Sequence, residues 1–255
     1  MSKDKFMDGW KEDLSSSTGP HTPKFNPPPM PPIAPAKIST EEEWHRARAQ
    51  GIGGSEAAAI IGRSPWCTNV ELWRRKTGRA AAPDISNDGA VKYGHDAEPL
   101  IRGLFALDYE NKYTVEYGGA FDMVAHPEHP FIFATLDGRL TEKATGRRGV
   151  LEIKTTSIVR SMQKEKWWKD GQPCIPDQYY CQLIWQLIAS GFDFAVLHAQ
   201  LKYDYGGDVR SERRTYFVER SEVLEDIEYL KAEGVKFWTE YVLADRQPNQ
   251  ILPDI

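Results

Sequence analysis

Two acids and a lysine stand close together in residues 131–156, FIFATLDGRLTEKATGRRGVLEIKTT. Asp137 closes one run of alternating apolar residues, and Glu152 and Lys154 lie two apart in the next. Alternation along an extended strand puts Glu152 and Lys154 on one face and Ile153 on the other. Pairing of the two runs through the intervening turn brings Asp137 beside Glu152. Two carboxylates and an ammonium then share one small site. Crowded like charges raise each other's proton affinity. A divalent cation relieves that conflict, and carboxylate oxygens suit Mg2+ or Mn2+. Such an ion activates water and stabilises charge on a phosphoryl oxygen. Lys154 is placed to orient the water or offset developing charge. The competing reading is a plain cross-strand ion pair with Lys154 in solvent, which an isolated Glu-X-Lys tripeptide more often is.

These residues need a scaffold. Ser39 or Thr40 before EEEWHRARAQ reads as a helix start, with a capping hydroxyl and acids in the first turn. GIGGSEAAAIIG follows as a tight loop, with Ser55 and Glu56 opening a short helix. Thr68 caps a helix that ends at Gly78. Residues 93–108 read as a helix on the spacing of Leu100, Leu104 and Leu107, with Ile101 and Phe105 alongside. After Asn111 the period changes to two, and YTVEYGG, PFIFATLDGRLTE and GVLEIKTTS read as three strands. A helix capped near Asp177 runs to Gly191. Two further strands, FDFAVLHAQLKY and RRTYFVER, precede a C-terminal helix over about 222–243, capped by Ser221. Helices, three strands, helix, two strands and helix make an α/β (α+β) fold, a mixed sheet flanked by helices.

Before this body, eight of the 17 prolines fall between Pro20 and Pro35. Residues 1–36 are therefore expected as a flexible tail, with Phe6, Met7 and Trp10 as apolar anchors if it docks a partner. Residues 37–255 are expected as a single domain. The 255 residues are 40% hydrophobic and carry a net charge of −5, which excludes a uniformly basic nucleic-acid coat. No apolar run approaches the roughly 18 residues of a membrane span. The N-terminal residues carry no apolar signal core, so a cytoplasmic location is expected. Cys67, Cys174 and Cys181 are too few and odd in number for a disulfide framework or a four-cysteine cluster.

Charge is unevenly spread. Residues 139–169 hold nine Lys or Arg against three Glu. Arg147 and Arg148 belong to this cluster, and Arg74 and Arg75 to a second. Such clusters neutralise phosphates. Trp167 and Trp168, in KEKWWK, could stack on bases; the alternative is one core Trp beside a solvated lysine face.

On these residues the chain resembles the PD-(D/E)XK nucleases, with Leu136-Asp137-Gly138 in place of the Pro-Asp. More specifically it is similar to the lambda-exonuclease-like, YqaJ-type viral recombinase family. Five blocks carry the resemblance in order: WHRARAQGIGGS (44–55), YGHDAEP (93–99), ATLDG (134–138), LEIK (151–154) and YYCQ (179–182). It implies a restriction-endonuclease-like core and a Mg2+-dependent deoxyribonuclease, with one or two ions. The reaction implied is 5′→3′ degradation from double-stranded DNA ends, leaving 3′ tails for phage-type recombination in a bacterial host. Asp137 and Glu152 would hold the ion, with the Ile153 carbonyl, and Glu98 would complete the site directly or through water. Lys154 would activate the attacking water. Gln182 would hold Lys154 or a substrate phosphate, and Arg48 and Ser55 would grip a 5′-phosphate. A single-strand annealing protein and a ring-shaped homo-trimer are the implied partners.

Each role has an ordinary competitor. Glu98 could face solvent, and His95 could be a surface residue. Ser55 could only cap the following helix. Arg48 could pair with Glu41–Glu43, with Arg46 as the alternative phosphate ligand. The YYCQ block lacks the commoner second glutamine two residues on: Ile184 stands there, and Gln186 lies further along. Other functions with the same core are an endonuclease, a Cas4-like nuclease (disfavoured by the cysteines) and a non-catalytic DNA-end-binding scaffold.

Overall fold

The structure is a computed structural model, described here for residues 38, 40–85, 87–158, 166–169, 172–205 and 207–252. The Pro-rich arm, and Arg160, Lys164 and Glu165 of the basic run, lie outside the described residues. Helix α1 spans Glu41–Ala49. Thr40 is its N-cap, in a capping box with Glu43. A 3-10 turn, Gly54–Glu56, leads into α2, Ala57–Ile60. Helix α3, Asn69–Lys76, has the same box between Thr68 and Glu71, and Gly78 leaves it with φ +72°. Helix α4 is longer than the sequence suggests, Gly89–Asp108, because Asp88 caps it further upstream.

The main sheet is ordered β1-β4-β5-β8-β9, with β1 Tyr113–Glu116, β4 Gly138–Glu142, β5 Arg148–Ile158, β8 Phe194–Tyr205 and β9 Asp208–Glu219. β5 runs antiparallel to β4 and parallel to β8. The connection from β5 to β8 carries helix α5, Asp177–Ser190. Pro176 is at its cap position and Asp177 is its first residue. Helix α6, Leu224–Lys236, follows a 3-10 turn at Arg220–Glu222 and passes into a π-helical turn at Phe237–Leu243. Two short hairpins complete the fold, β2 Met123–Ala125 with β3 Phe133–Thr135, and β6 Trp168–Lys169 with β7 Gln172–Pro173. No described helix is long and apolar enough to cross a membrane.

Alternation divides the sheet into two cores. Val150, Ala195, Leu197 and Ala199 face α5, α2 and α6. Leu151, Ile153, Phe194 and Val196 face α4, where Ala97, Ile101 and Phe105 are buried. The expected strand over 131–142 is in fact two. Residues 133–135 pair with β2, and the chain then bends at Asp137 to enter the main sheet. A second departure concerns α4. Leu100, Leu104 and Leu107 recur at helical spacing but are exposed, because the neighbouring stripe Ala97-Ile101-Phe105 takes the sheet.

Candidate active site

The bend at Asp137 builds the site. Gly138 sits opposite Leu151 in the β4–β5 ladder, so the next step of the register sets Asp137 opposite Glu152. A Cβ on Gly138 would lie 3.2 Å from the Leu151 side chain; glycine lets the two strands meet closely. The ladder ends there. The Ile153 N–H, which a longer β4 would have bonded, donates instead to Asp137 Oδ2 at 2.8 Å. The carbonyl of the same residue points to the same side of the strand.

Glu152 is 1% exposed. Burying a carboxylate is costly unless it is paired and hydrogen-bonded, and here both oxygens are engaged. Lys154 Nζ is 2.5 Å from Oε1, Gln182 Nε2 donates to Oε1 at 2.6 Å, and Gln186 Nε2 donates to Oε2. Gln182 and Gln186 are one helical turn apart on α5, which aligns them on one face. Lys154 also lies 5.4 Å from the centre of the Tyr179 ring, on the same helix. Burial opposes the charge of Lys154, but Glu152 and Asp137 outweigh it and hold the ammonium protonated beyond the usual lysine range. Asp137 shows the opposite strain. Burial and the Glu152 charge raise its carboxyl well above the ordinary 3.8, against partial relief from Lys154 and the Ile153 amide.

Glu98 approaches from α4. It lies near enough to raise the Asp137 carboxyl further. Its own Oε1 is bonded at 2.9 Å by Arg102, one turn on. The Arg102 Nη1 also donates to the Asp137 carbonyl, and its guanidinium stacks 3.7 Å over the Tyr117 ring. Arg102 thus ties the third acid to the bend that carries the first. His95 is exposed.

The Arg48–Ser55 segment packs against the same helix as the glutamines. The Trp185 indole donates to the carbonyls of Ile52 at 3.0 Å and Phe133 at 3.2 Å, and Ile52 bridges Ile132. A Cβ at Gly54 would be 3.3 Å from the Gln182 side chain, so the turn bearing Ser55 rests directly on α5. Glu56 bonds the Gly53 amide at 2.8 Å and pairs with the buried Lys76 at 2.7 Å. Lys76 also donates to the Arg48 carbonyl at 3.0 Å. The acids of α1 are taken up by Arg46 (Glu42, 3.1 Å) and His45 (Glu41, 3.5 Å). The Arg48 guanidinium instead lies 4.7 Å over Trp44, and Ser55 is exposed.

Several residues expected on DNA are engaged elsewhere. Trp167 is 2% exposed and packs against Tyr179 and Tyr216; it is core and unavailable for base stacking. Trp168 is half-buried with the Arg214 guanidinium 3.7 Å over its ring. Arg147 is committed to Glu142 at 3.0 Å and Glu219 at 2.7 Å. Arg148 is exposed beside Phe192. On α3, Arg74 is exposed and Arg75 half-buried. Sequence reasoning missed Arg102 and the role of Gln186. The four-residue spacing of Gln182 and Gln186 was the available signal for the latter.

The donor set fits a hard divalent cation. Two carboxylates lie beside one ammonium, and burial first, then the Glu152 charge, raises the Asp137 carboxyl, which a bound cation would relieve. Among the described residues no third acid, histidine or cysteine closes a full cage around a point, Glu98 being held by Arg102.

This sheet with its flanking helices is similar in fold to solved structures of an alkaline exonuclease. It matches the alkaline exonuclease LHK-Exo of Laribacter hongkongensis with a TM-score of 0.55 at 19% identity, covering 80% of this chain and 93% of that one. The same exonuclease in complex with dAMP matches at 0.55 and 20% identity, with the same coverage. Residues 43–193 match the YqaJ-like viral recombinase domain, and the chain belongs to that family. The uncharacterized protein YqaJ of Bacillus subtilis (strain 168) is 29% identical over 209 residues, 82% of this chain. The chain spans 59% of the length of that relative.

Proposed function

We propose that the chain is a Mg2+-dependent deoxyribonuclease, with Mn2+ as an alternative ion, that degrades double-stranded DNA 5′→3′ from its ends. The product would be a 3′ single-stranded tail, consumed in phage-type recombination. One observation carries the reading: Asp137 and Glu152 meet across β4 and β5 with Lys154 on the same carboxylate. Family membership and the exonuclease fold support it.

Asp137, Glu152 and the Ile153 carbonyl are the groups that would hold the ion, with Glu98 completing its surroundings. When bound, the ion supplies an activated water and a Lewis acid for the phosphoryl oxygens. Gln182 and Gln186 fix the Glu152 carboxylate, so its oxygens need no reorganisation during the reaction. Lys154, ion-paired with Glu152, would position or activate the attacking water and offset phosphoryl charge. Arg48 and Ser55 are the proposed 5′-phosphate ligands; Ser55 sits in the turn resting on Gln182, which links end recognition to the acids. A single-strand annealing protein as partner, a homo-trimer, and a cytoplasmic location in a bacterial host belong to the same proposal.

The test is digestion of linear duplexes that differ in end label and 5′-phosphate, beside covalently closed circular DNA, with and without Mg2+. Cation-dependent loss from the 5′ end, faster with the 5′-phosphate and sparing circles, is expected. Nicking of circles would make it an endonuclease. Binding of duplex ends without product would make it a scaffold. Full activity in Glu152→Ala or Lys154→Ala would sink the site assignment.

A further inference from the structure

β4 covers β5 only as far as Leu151. From Glu152 to Ile158 no described strand pairs with that side of β5, although β8 continues on the other. The uncovered stretch leads away from the acids into a recess of about 170 Å3, lined by Gly89, Ala90 and Tyr93 of α4, by Thr155, Thr156 and Ser157 of β5, and by Lys202 of β8. Alternation sets Thr155 and Ser157 on the α4 face of the sheet, with their β8 partners Gln200 and Lys202. None of the lining residues is acidic, in a chain with 37 acids.

The recess is assembled around one lysine. Lys202 Nζ sits 3.6 Å over the Tyr93 ring, and no described carboxylate pairs with it. The Tyr93 hydroxyl donates to Gln200 at 2.8 Å, which fixes the ring that carries the ammonium. Gly94 allows α4 to come this close: a Cβ there would lie 3.1 Å from the Thr155 hydroxyl. The amides of Ala90 and Val91 are already bonded by Asp88, so the helix terminus is not what makes the place attractive to an anion. The side chains do: one ammonium with no carboxylate partner among the described residues, beside two hydroxyls.

Position decides which anion. Thr155 and Ser157 lie two and four residues beyond Ile153, on the same face of β5, on average about 10 Å from it at ~3.3 Å per residue. That is the rise of about three nucleotides of one strand. We propose that this recess is a subsite for the phosphodiester backbone of DNA, a few nucleotides from the bond being cut, with Lys202 as the charge contact and Thr155 and Ser157 as neutral donors. The inference rests on the deoxyribonuclease reading above.

The test is fluorescence-anisotropy titration of a 5′-phosphorylated blunt duplex with the full chain in EDTA, over a series of salt concentrations. Each phosphate neutralised by a cationic side chain contributes about 0.9 to the slope of log affinity on log salt. Lys202→Ala should weaken binding about fivefold or more at about 0.15 M salt and lower that slope by about one. Lys202→Arg should keep the slope. Thr155→Val should weaken binding with the slope unchanged. A Lys202→Ala slope equal to that of the unaltered chain, when that chain binds and degrades the duplex, overturns the subsite alone. An unaltered chain that neither binds nor degrades the duplex overturns the subsite together with the nuclease reading.

Discussion

Along β5 the first four residues, Arg148–Leu151, are covered by β4, and the last seven, Glu152–Ile158, are not. The covered half is a conventional interior: Val150 and Leu151 are fully buried, one in each core. Its charged neighbours are spent on the protein itself, Arg147 on Glu142 and Glu219. In the uncovered half the strand exchanges a backbone partner for a side chain, the Asp137 carboxylate. Charge there is concentrated and only partly compensated. One strand thus carries a half that stabilises the fold and a half that gathers the charged groups of the proposed site.

The largest test of this contrast is Lys154→Met. It removes the one ammonium between Asp137 and Glu152, and a rate loss of at least about 10² to 10³ is expected in a cation-dependent digestion assay. Breaking a buried pair also destabilises by about 3–5 kcal/mol, which urea unfolding at neutral pH would read.

Asp137→Asn should do the reverse to stability. The folded-state pKa of Asp137 is raised above 3.8. Its contribution to stability is therefore complete below that ordinary range and is lost as pH rises through the raised value. At neutral pH without cation, Asp137→Asn should be more stable than the unaltered chain by about 1 kcal/mol, and the gap should vanish on acidification toward pH 4. Mg2+ should raise the melting temperature of the unaltered chain and not that of Asp137→Asn. Equal stability of the two chains at both pH values would remove the claim of strain.

Gln186→Leu leaves one Glu152 oxygen without its donor in a buried place. A destabilisation of about 1–3 kcal/mol and a fall in activity are expected, smaller than for Lys154→Met. The smallest effects belong to the covered half. Arg147→Ala should lower the urea midpoint only slightly, as loss of an exposed ion pair does, and Arg148→Ala should leave duplex affinity nearly unchanged. A large loss of DNA binding in either would erase the distinction between the halves.

Much of the site was legible because its geometry is local. Strand alternation placed Glu152 with Lys154, and a single turn placed Asp137 beside them. The caps at Thr40 and Thr68 were equally plain. What could not be read depends on distant partners. Residues 131–142 read as one extended run, yet the choice of β2 for one half and β5 for the other is made by tertiary pairing. Helix α4 has two apolar stripes of the same period, and the period does not say which meets the sheet. Trp167 lies in a basic run, and its burial comes from Tyr179 and Tyr216 in two later elements. Arg102 reads as a surface arginine until the Asp137 carbonyl is set against it.

A bare β-strand flank is ordinarily a template on which another chain adds a strand and begins an aggregate. Over Glu152–Ile158 no described strand covers this flank, and charged groups stand at its entrance. Charged groups at that entrance disfavour the addition of a strand there. Variants that neutralise them should show this in storage, turning cloudy at concentrations where the unaltered chain stays clear.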